Sequence, residues 1–466
     1  MTRNTLYLTC VVGLGLLLRL IALDQSFWLD EAAQAVISQG IFEPGRLNGD
    51  FQPPLSYFLT HVWMRFGNIW DIRSEWFLRL PAVGFGVGTV YLLFILIKDL
   101  FNRRAGLVAS LMLSTAPFHI YYSQEFRMYS MLTFFAVLSW YFLWKRRWGW
   151  FALTTTIGTF THYFALINLV SQFVYIILFD RRFVQKFFIY AALGMAPFLL
   201  WLPTFKIQLA TAQNLVSAWP GWKNISNVGF LKFPGLVLAK FSVGMISPQP
   251  KWLYGAAVGA VGLGALLSSR GLLFAKDRKP VIFLLSMFAM PLVIAWFGGI
   301  FISASSPWRI QFVLPAFYAL ISVGTYYLAR QRYARFGKFL IAYIVLQNVF
   351  FGALYLFDEN NHRENWREAV MYTDNIVRDE GAIVLSEYTE PWAPMGWYSQ
   401  EIEKYDGGIE GGDRVLKRSG PVILYTYLFE IFDSDKQIES QLIQNGYTLS
   451  SEKDFRGVGI IKIFSQ

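Results

Sequence analysis

Residues 77–97 read FLRLPAVGFGVGTVYLLFILI. A single charge, Arg79, interrupts this stretch, which is long enough to cross the roughly 30 Å apolar core of a bilayer as a helix. Working outward, similar runs occupy about 5–23 on one side and 105–121, 129–144, 148–163, 164–179, 187–205, 252–269, 280–302, 310–329 and 339–357 on the other, about eleven in all. No soluble core needs so many continuous apolar stretches. In lipid every backbone polar group must be satisfied within the segment, so helices are the default. Composition agrees: 55% of the residues are hydrophobic and 15% charged, against about 25% charged in soluble domains. A soluble enzyme is thereby excluded, and so is a nucleic-acid binder despite the net charge of +10. The single cysteine, Cys10, excludes a disulfide framework and a cysteine zinc site. The first run follows only Met1–Asn4 and lacks a small-residue cleavage site before Asp24, so it reads as a first transmembrane helix rather than a cleaved signal.

Charge divides the chain in two. Residues 1–357 carry a net +19, and residues 358–466 a net −9. A basic transmembrane body (1–357) and an acidic, water-compatible domain (358–466) are therefore expected. With the N-terminus in the cytoplasm, the inner segments hold 18 Lys and Arg in about 40 residues, whereas the main outer segments hold 10 in about 113. Inner basic groups include Arg103-Arg104, Lys145-Arg146-Arg147 and Arg181-Arg182. This bias orients a multi-pass protein of the cell (inner) membrane. An odd number of spans puts the acidic domain outside. That domain reads as a small α/β unit: helices at 364–378 and 436–445, strands at 382–387, 422–427 and 457–464. It shows no phosphate loop and no nucleophile motif, and the expectation is a docking or lid domain without chemistry of its own.

The body's acidic residues gather in the first outer segment: Asp24, Asp30, Glu31, Glu43, Asp50, Asp71 and Glu75. Carboxylates at a membrane are costly unless paired or wet, which makes them functional candidates. Asp30 and Glu31 lie in Trp28-Leu29-Asp30-Glu31-Ala32-Ala33-Gln34, at the start of a short amphipathic helix. Neighbouring helical side chains diverge by about 100°, so one carboxylate can face a cavity while the other pairs or caps. An ordinary N-cap is the competing reading of Asp30. Gln52-Pro53-Pro54-Leu55-Ser56-Tyr57 then opens a second surface helix, near 55–66. Arg79, in Leu78-Arg79-Leu80-Pro81, sits at the outer end of its span, where snorkelling is the bland explanation. The second outer loop reads Ser123-Gln124-Glu125-Phe126-Arg127-Met128-Tyr129. Its Glu and Arg are either a local ion pair or an acid beside a phosphate-binding cation. Arg309 is the basic residue of a late outer loop, and arginine matches phosphate oxygens bidentately. Arg19, inside the first span, is expected to pair with Asp24 or another loop carboxylate. His61, His119 and His162 near the outer face raise the question of a divalent metal, but no spacing supports one, and no cofactor is expected. The segment 206–251 carries Trp219-Pro220-Gly221-Trp222 and reads as a gate or an interfacial aromatic belt.

A pocket of carboxylates and arginines on the outer face, open to lipid, suits an activated lipid-linked donor. The chemistry would be displacement at a sugar's anomeric carbon with a lipid phosphate leaving. It needs a carboxylate to take the acceptor's proton and cations for the charge growing on the phosphate. Direct displacement inverts the anomeric centre.

The ordered motifs around Asp30, Gln52, Arg79 and Glu125 resemble those of the GT-C glycosyltransferases, nearest to bacterial relatives of dolichyl-phosphate-mannose protein mannosyltransferases and of the lipid A aminoarabinose transferase. Arg309-Ile310-Gln311-Phe312-Val313-Leu314-Pro315 resembles the late Arg…Pro segment of that branch, and Asn365-Trp366-Arg367-Glu368-Ala369 the start of its soluble tail. The resemblance covers about residues 5–400. It implies an all-α polytopic GT-C fold with surface helices in the first outer loop and a C-terminal extracytoplasmic domain. It also implies a polyprenyl-phosphate-linked sugar donor, a lipid, glycan or protein acceptor, and inverting transfer without metal. By motif position Asp30 is the general base, with Glu31 and Glu125 orienting substrates. Arg127 and Arg309, joined by Arg79 and Tyr129, are candidates for the donor phosphate, and Gln52, Pro53, Tyr57, His61 and His162 for the substrate cavity. The aminoarabinose transferase typically has Asp as the second loop's important acid, where this chain offers Glu125. No inserted β-trefoil fits in 206–251, so a protein acceptor is not specifically implied. A flippase or transporter would show charges deep in several spans, where only Arg19 and His119 qualify. A non-catalytic envelope scaffold gives no reason for the outer cluster. An O-antigen polymerase or ligase leans on a large outer loop rich in Arg and His.

Overall fold

The computed structural model describes residues 3–222, 227–301, 305–331, 333–415 and 420–466. It is mostly helical. The first outer segment folds into α2 (Leu29–Gln39) and α3 (Pro54–Ile69), between α1 (Arg3–Leu20) and α4 (Glu75–Leu100). There follow α5 (Arg103–Thr115), α6 (Pro117–Ser123), α7 (Tyr129–Trp144), α8 (Trp148–Thr161), α9 (Ala165–Phe179), α10 (Val184–Met195), α11 (Phe198–Ala218) and α12 (Phe233–Val243). The body closes with α13 (Lys251–Leu272), α14 (Lys279–Gly298), α15 (Leu314–Ala329) and α16 (Ala334–Phe357). Each apolar run is helical over most of its length; residue 302, at the end of the 280–302 run, lies outside the described residues.

Individually, α4, α13, α14, α16 and the segment Gln311–Ala329 are long and apolar enough to span a bilayer. Several other runs are shorter or broken, for local reasons. Pro117 lacks the N–H that would continue α5, so 105–121 divides at Ala116 and restarts with Pro117 in the first turn of α6. The 187–205 run bends by 65° between the α10 and α11 segments, next to Pro197. The expected outer segment 206–251 is in fact partly ordered helix: α11 continues to Ala218, and α12 is a short apolar helix with buried Phe233, Val237 and Phe241. Close packing is set by small residues. A Cβ on Gly271 of α13 would lie 1.9 Å from the carbonyl oxygen of Gly324 on α15, so these backbones touch as in other lipid-embedded helix pairs.

After α16 the chain forms α17 (Trp366–Glu380), β1 (Ile383–Ser386), α18 (Ala393–Tyr398), β2 (Tyr405–Gly407), α19 (Gly408–Val415), β3 (Val422–Tyr425), α20 (Phe429–Phe432), α21 (Gln437–Gln444), β4 (Thr448–Phe455) and β5 (Gly459–Ser465). The sheet order is β2-β1-β3-β5-β4, with β1 parallel to β2 and β3, and β5 antiparallel to β3 and β4. The expected helices and strands correspond to α17, α21, β1, β3 and β5. The edge strands escaped the sequence reading for different reasons: β2 is three residues long, and β4, TLSSEKDF, is exposed along nearly its whole length and lacks an apolar alternation. The sheet unit sits on the loop between α1 and α4 through α18. Tyr398 accepts a hydrogen bond from the Phe27 amide (2.7 Å) and donates one to Glu75 (2.7 Å).

Candidate active site

The site grows from the turn after α1 and the start of α2. Helix α2 begins after Trp28, with no side-chain cap, so Asp30 is not the N-cap that local spacing allowed. It is the second residue of the helix, and Asp30 and Glu31 point in different directions. The Glu31 side chain is 0% exposed and meets Arg79, which is 1% exposed. Arg79 donates Nε to Oε1 (2.9 Å) and Nη2 to Oε2 (2.5 Å) of Glu31. Its remaining N–H groups reach the carbonyls of Leu23 (2.8 Å), Gln25 (2.6 Å) and Ser26 (3.2 Å). All five guanidinium donors are thus used. Glu31 also accepts from the Phe126 amide (2.6 Å), which ties in the second outer loop. Burial pushes the Glu31 carboxyl up, but Arg79, Arg363 and the Phe126 N–H outweigh it and hold it below its ordinary value. Arg79 is committed to Glu31 and the 23–26 turn instead of facing a donor phosphate or snorkelling.

Asp30 has the other fate. Its side chain is 39% exposed and lies 3.2 Å from Nη2 of Arg127, whose side chain is 8% exposed. Arg127 also donates to the Asp30 carbonyl (3.2 Å), while its buried Nε has no partner among the described residues. Around this pair stand Tyr129, whose ring lies 6.0 Å from the Arg127 guanidinium and 5.8 Å from the His162 ring, and Arg309, 6.0 Å from the Phe164 ring. His162 accepts from the Phe164 amide (3.0 Å). Tyr57 donates to Asp50, which also accepts from the Gln52 amide (3.3 Å). Gln208 of α11 holds the same loop, donating to the carbonyls of Leu47 (2.7 Å) and Gln52 (3.0 Å). The side-chain oxygen of Gln52 is buried without a partner among the described residues, and Pro53 is the extended residue before α3.

The sequence reading missed Arg363. Its side chain is 1% exposed, with Nη1 3.6 Å from Oε2 of Glu125 and Nε 4.0 Å from Oε2 of Glu31. It donates to the Tyr121 carbonyl (2.9 Å) and stacks 3.9 Å from the Tyr121 ring. Burial pushes Glu125 up to about 7, with Arg363 opposing the shift. Neither Glu125 oxygen has a hydrogen-bond partner among the described residues. The neighbouring Glu364 accepts from the Leu29 amide (3.2 Å), the Trp366 indole (2.6 Å) and Tyr427 (2.9 Å). Arg367 bridges Glu75 (2.7 Å) and Asp24 (3.6 Å). The strap between α16 and the sheet is therefore part of the site and more than a tether. A signal existed: Arg363 and Arg367 follow the last apolar run in an otherwise acidic tail, against the outer-side charge bias.

A protein built around such a pocket can be compared with others. Residues 52–205 match the family described as dolichyl-phosphate-mannose-protein mannosyltransferase. No curated protein matches the chain in sequence. Among solved structures, it is similar to ArnT from Cupriavidus metallidurans bound to undecaprenyl phosphate, at 12% identity over 98% of this chain and 97% of that one, with a TM-score of 0.58. The Archaeoglobus fulgidus oligosaccharyltransferase in complex with zinc and sulfate aligns at 12% identity over 90% and 68% of the two chains, with a TM-score of 0.54. The archaeal oligosaccharyltransferase AglB of Archaeoglobus fulgidus, with an inhibitory peptide and a dolichol-phosphate, aligns at 11% identity over 91% and 69%, with a TM-score of 0.50. The chain shares the fold of these structures.

Within that fold the matched segment 52–205 holds Gln52, Pro53, Tyr57, Arg79, Glu125, Arg127, Tyr129 and His162, whereas Asp30, Glu31, Arg309 and Arg363 join from outside it. Other expectations are redirected. Arg19 does not pair with Asp24. It contacts His119 Nδ1 (2.5 Å) and donates to the carbonyls of Gly15 (2.7 Å) and Ser114 (3.1 Å). His61 contacts the Ser38 carbonyl (2.7 Å) and the Phe42 ring (5.2 Å). With these different partners the histidines do not converge, and no group of three metal-ligating side chains is found among the described residues. Trp219 and Trp222 pack on Phe432 of the sheet unit, at 5.0 and 6.0 Å, rather than forming a lipid-facing belt.

Proposed function

We propose that this membrane protein transfers a sugar from a polyprenyl-phosphate donor to an acceptor on the extracytoplasmic side, inverting the anomeric centre. The observation that carries the reading is the Asp30–Arg127 pair: a part-exposed carboxylate beside a buried guanidinium whose Nε has no partner among the described residues. Asp30 acts as general base, taking the acceptor's proton as the acceptor oxygen attacks the anomeric carbon. Arg127 and Arg309 stabilise the charge that grows on the departing phosphate. Tyr129, His162, Tyr57 and Gln52 line the space around the sugar. Glu31 and Glu125 act indirectly, with Arg79 and Arg363 holding the two outer loops in register. The polyprenyl donor is supported by the undecaprenyl phosphate bound to ArnT and the dolichol-phosphate bound to AglB. The reading is tested with Asp30→Asn in purified membranes supplied with polyprenyl-phosphate sugar. Turnover is expected to fall by about 10²–10⁴-fold with donor binding retained; undiminished turnover removes Asp30 as the base.

A further inference from the structure

A second cavity lies at the other end of the bundle. It has a volume of about 200 Å³ and lies where α7, α9 and α14 meet. Helix α7 separates it from the Asp30 pocket: its 16 residues span about 24 Å. Arg146, Arg182 and Lys279 line it, with one carboxylate, Asp180, and an aromatic wall that includes Trp144 and Tyr175. Asp180 binds both arginines, Arg146 through Nη2 and Arg182 through Nε at 3.0 Å. The arginines also stand 4.2 and 4.8 Å from the Phe183 ring. They are thus held in place while the lining keeps three cations against a single carboxylate. A cation-rich rim over an aromatic wall matches a phosphate attached to carbon, and Lys279 opens α14, a helix long and apolar enough to cross a bilayer.

The geometry points to a binding site for the phosphate headgroup of an anionic phospholipid, in the leaflet opposite the sugar-transfer pocket. The rim cations take the phosphate oxygens, and the glycerol and first acyl carbons rest on Trp144 and Tyr175. A free phosphate would use the rim and leave the apolar wall empty.

The test is native mass spectrometry of the full chain in detergent, titrated with dioleoylphosphatidylglycerol or dioleoylphosphatidylcholine, with and without inorganic phosphate. Wild type is compared with Arg182→Ala/Lys279→Ala and with Arg330→Ala/Arg335→Ala, a control at the same end of the bundle. Retention of phosphatidylglycerol is expected to fall about tenfold or more in the first variant, since each cation at an anionic surface is worth roughly fivefold. The control variant should retain it, and phosphatidylcholine should be held weakly throughout. Equal losses in both variants, equal retention of the two lipids, or no loss in Arg182→Ala/Lys279→Ala would overturn the site. Displacement of the lipid by millimolar inorganic phosphate would overturn the lipid as its occupant.

Discussion

Asp30 and Glu31 share a peptide bond and almost nothing else. Glu31 belongs to a closed lattice with Arg79, Arg363 and Glu125, all at most 1% exposed. Asp30, 39% exposed, stands at the rim of a largely buried group of Arg127, Arg309, Tyr129 and His162. The same charge type is enclosed in one region and part-exposed in the other. Burial separates the roles: a desolvated carboxylate must be paired to exist at all, and once paired on every side it has no reach left for substrate. A carboxylate at the rim keeps its access to solvent, as the proposed base requires.

The sharpest way to break this contrast is Glu31→Gln. It leaves Arg79 and Arg363 short of a buried counter-charge, and stability is expected to fall by about 3–5 kcal/mol, read as a lower thermal midpoint in detergent. An unchanged midpoint would mean that the closed lattice is not holding the loops. Arg127→Ala should act on the group around Asp30 instead, weakening polyprenyl-phosphate binding about tenfold to a hundredfold through the loss of charge-assisted hydrogen bonds. Equal donor affinity in titration calorimetry would remove its phosphate role. The smallest effect is expected from Glu125→Gln. Because burial raises Glu125 from 4.5 to about 7, the folded chain keeps a proton between those values that the unfolded chain has released. This contribution to stability is full below about pH 4.5 and is lost as pH rises to about 7. Glu125→Gln should flatten that part of the midpoint-against-pH curve. A slope identical to wild type would place the titration elsewhere.

Much of this was legible from residues alone. Apolar runs locate the helices because a segment in lipid must satisfy its own backbone, so length and composition nearly suffice. The surface helices α2 and α3 followed from amphipathic spacing and from Pro54 in a first turn. The loops that hold Asp30, Arg127 and Arg309 followed from the breaks between apolar runs. Arg79 and Arg19 were harder. Sequence shows that a cation sits at a span's end, but its partner can be a carboxylate 48 residues away, as for Arg79, or a histidine 100 residues away, as for Arg19.

Residue types, hydropathy and charge established a multi-helix membrane body, an acidic α/β tail and the loops that supply acids and arginines, because those properties act within one segment. Packing alone decided which of two adjacent carboxylates stays exposed, and it alone brought Arg363 from the strap into contact with Glu125. Pairing between distant segments depends on how helices meet in three dimensions, and no local pattern encodes it.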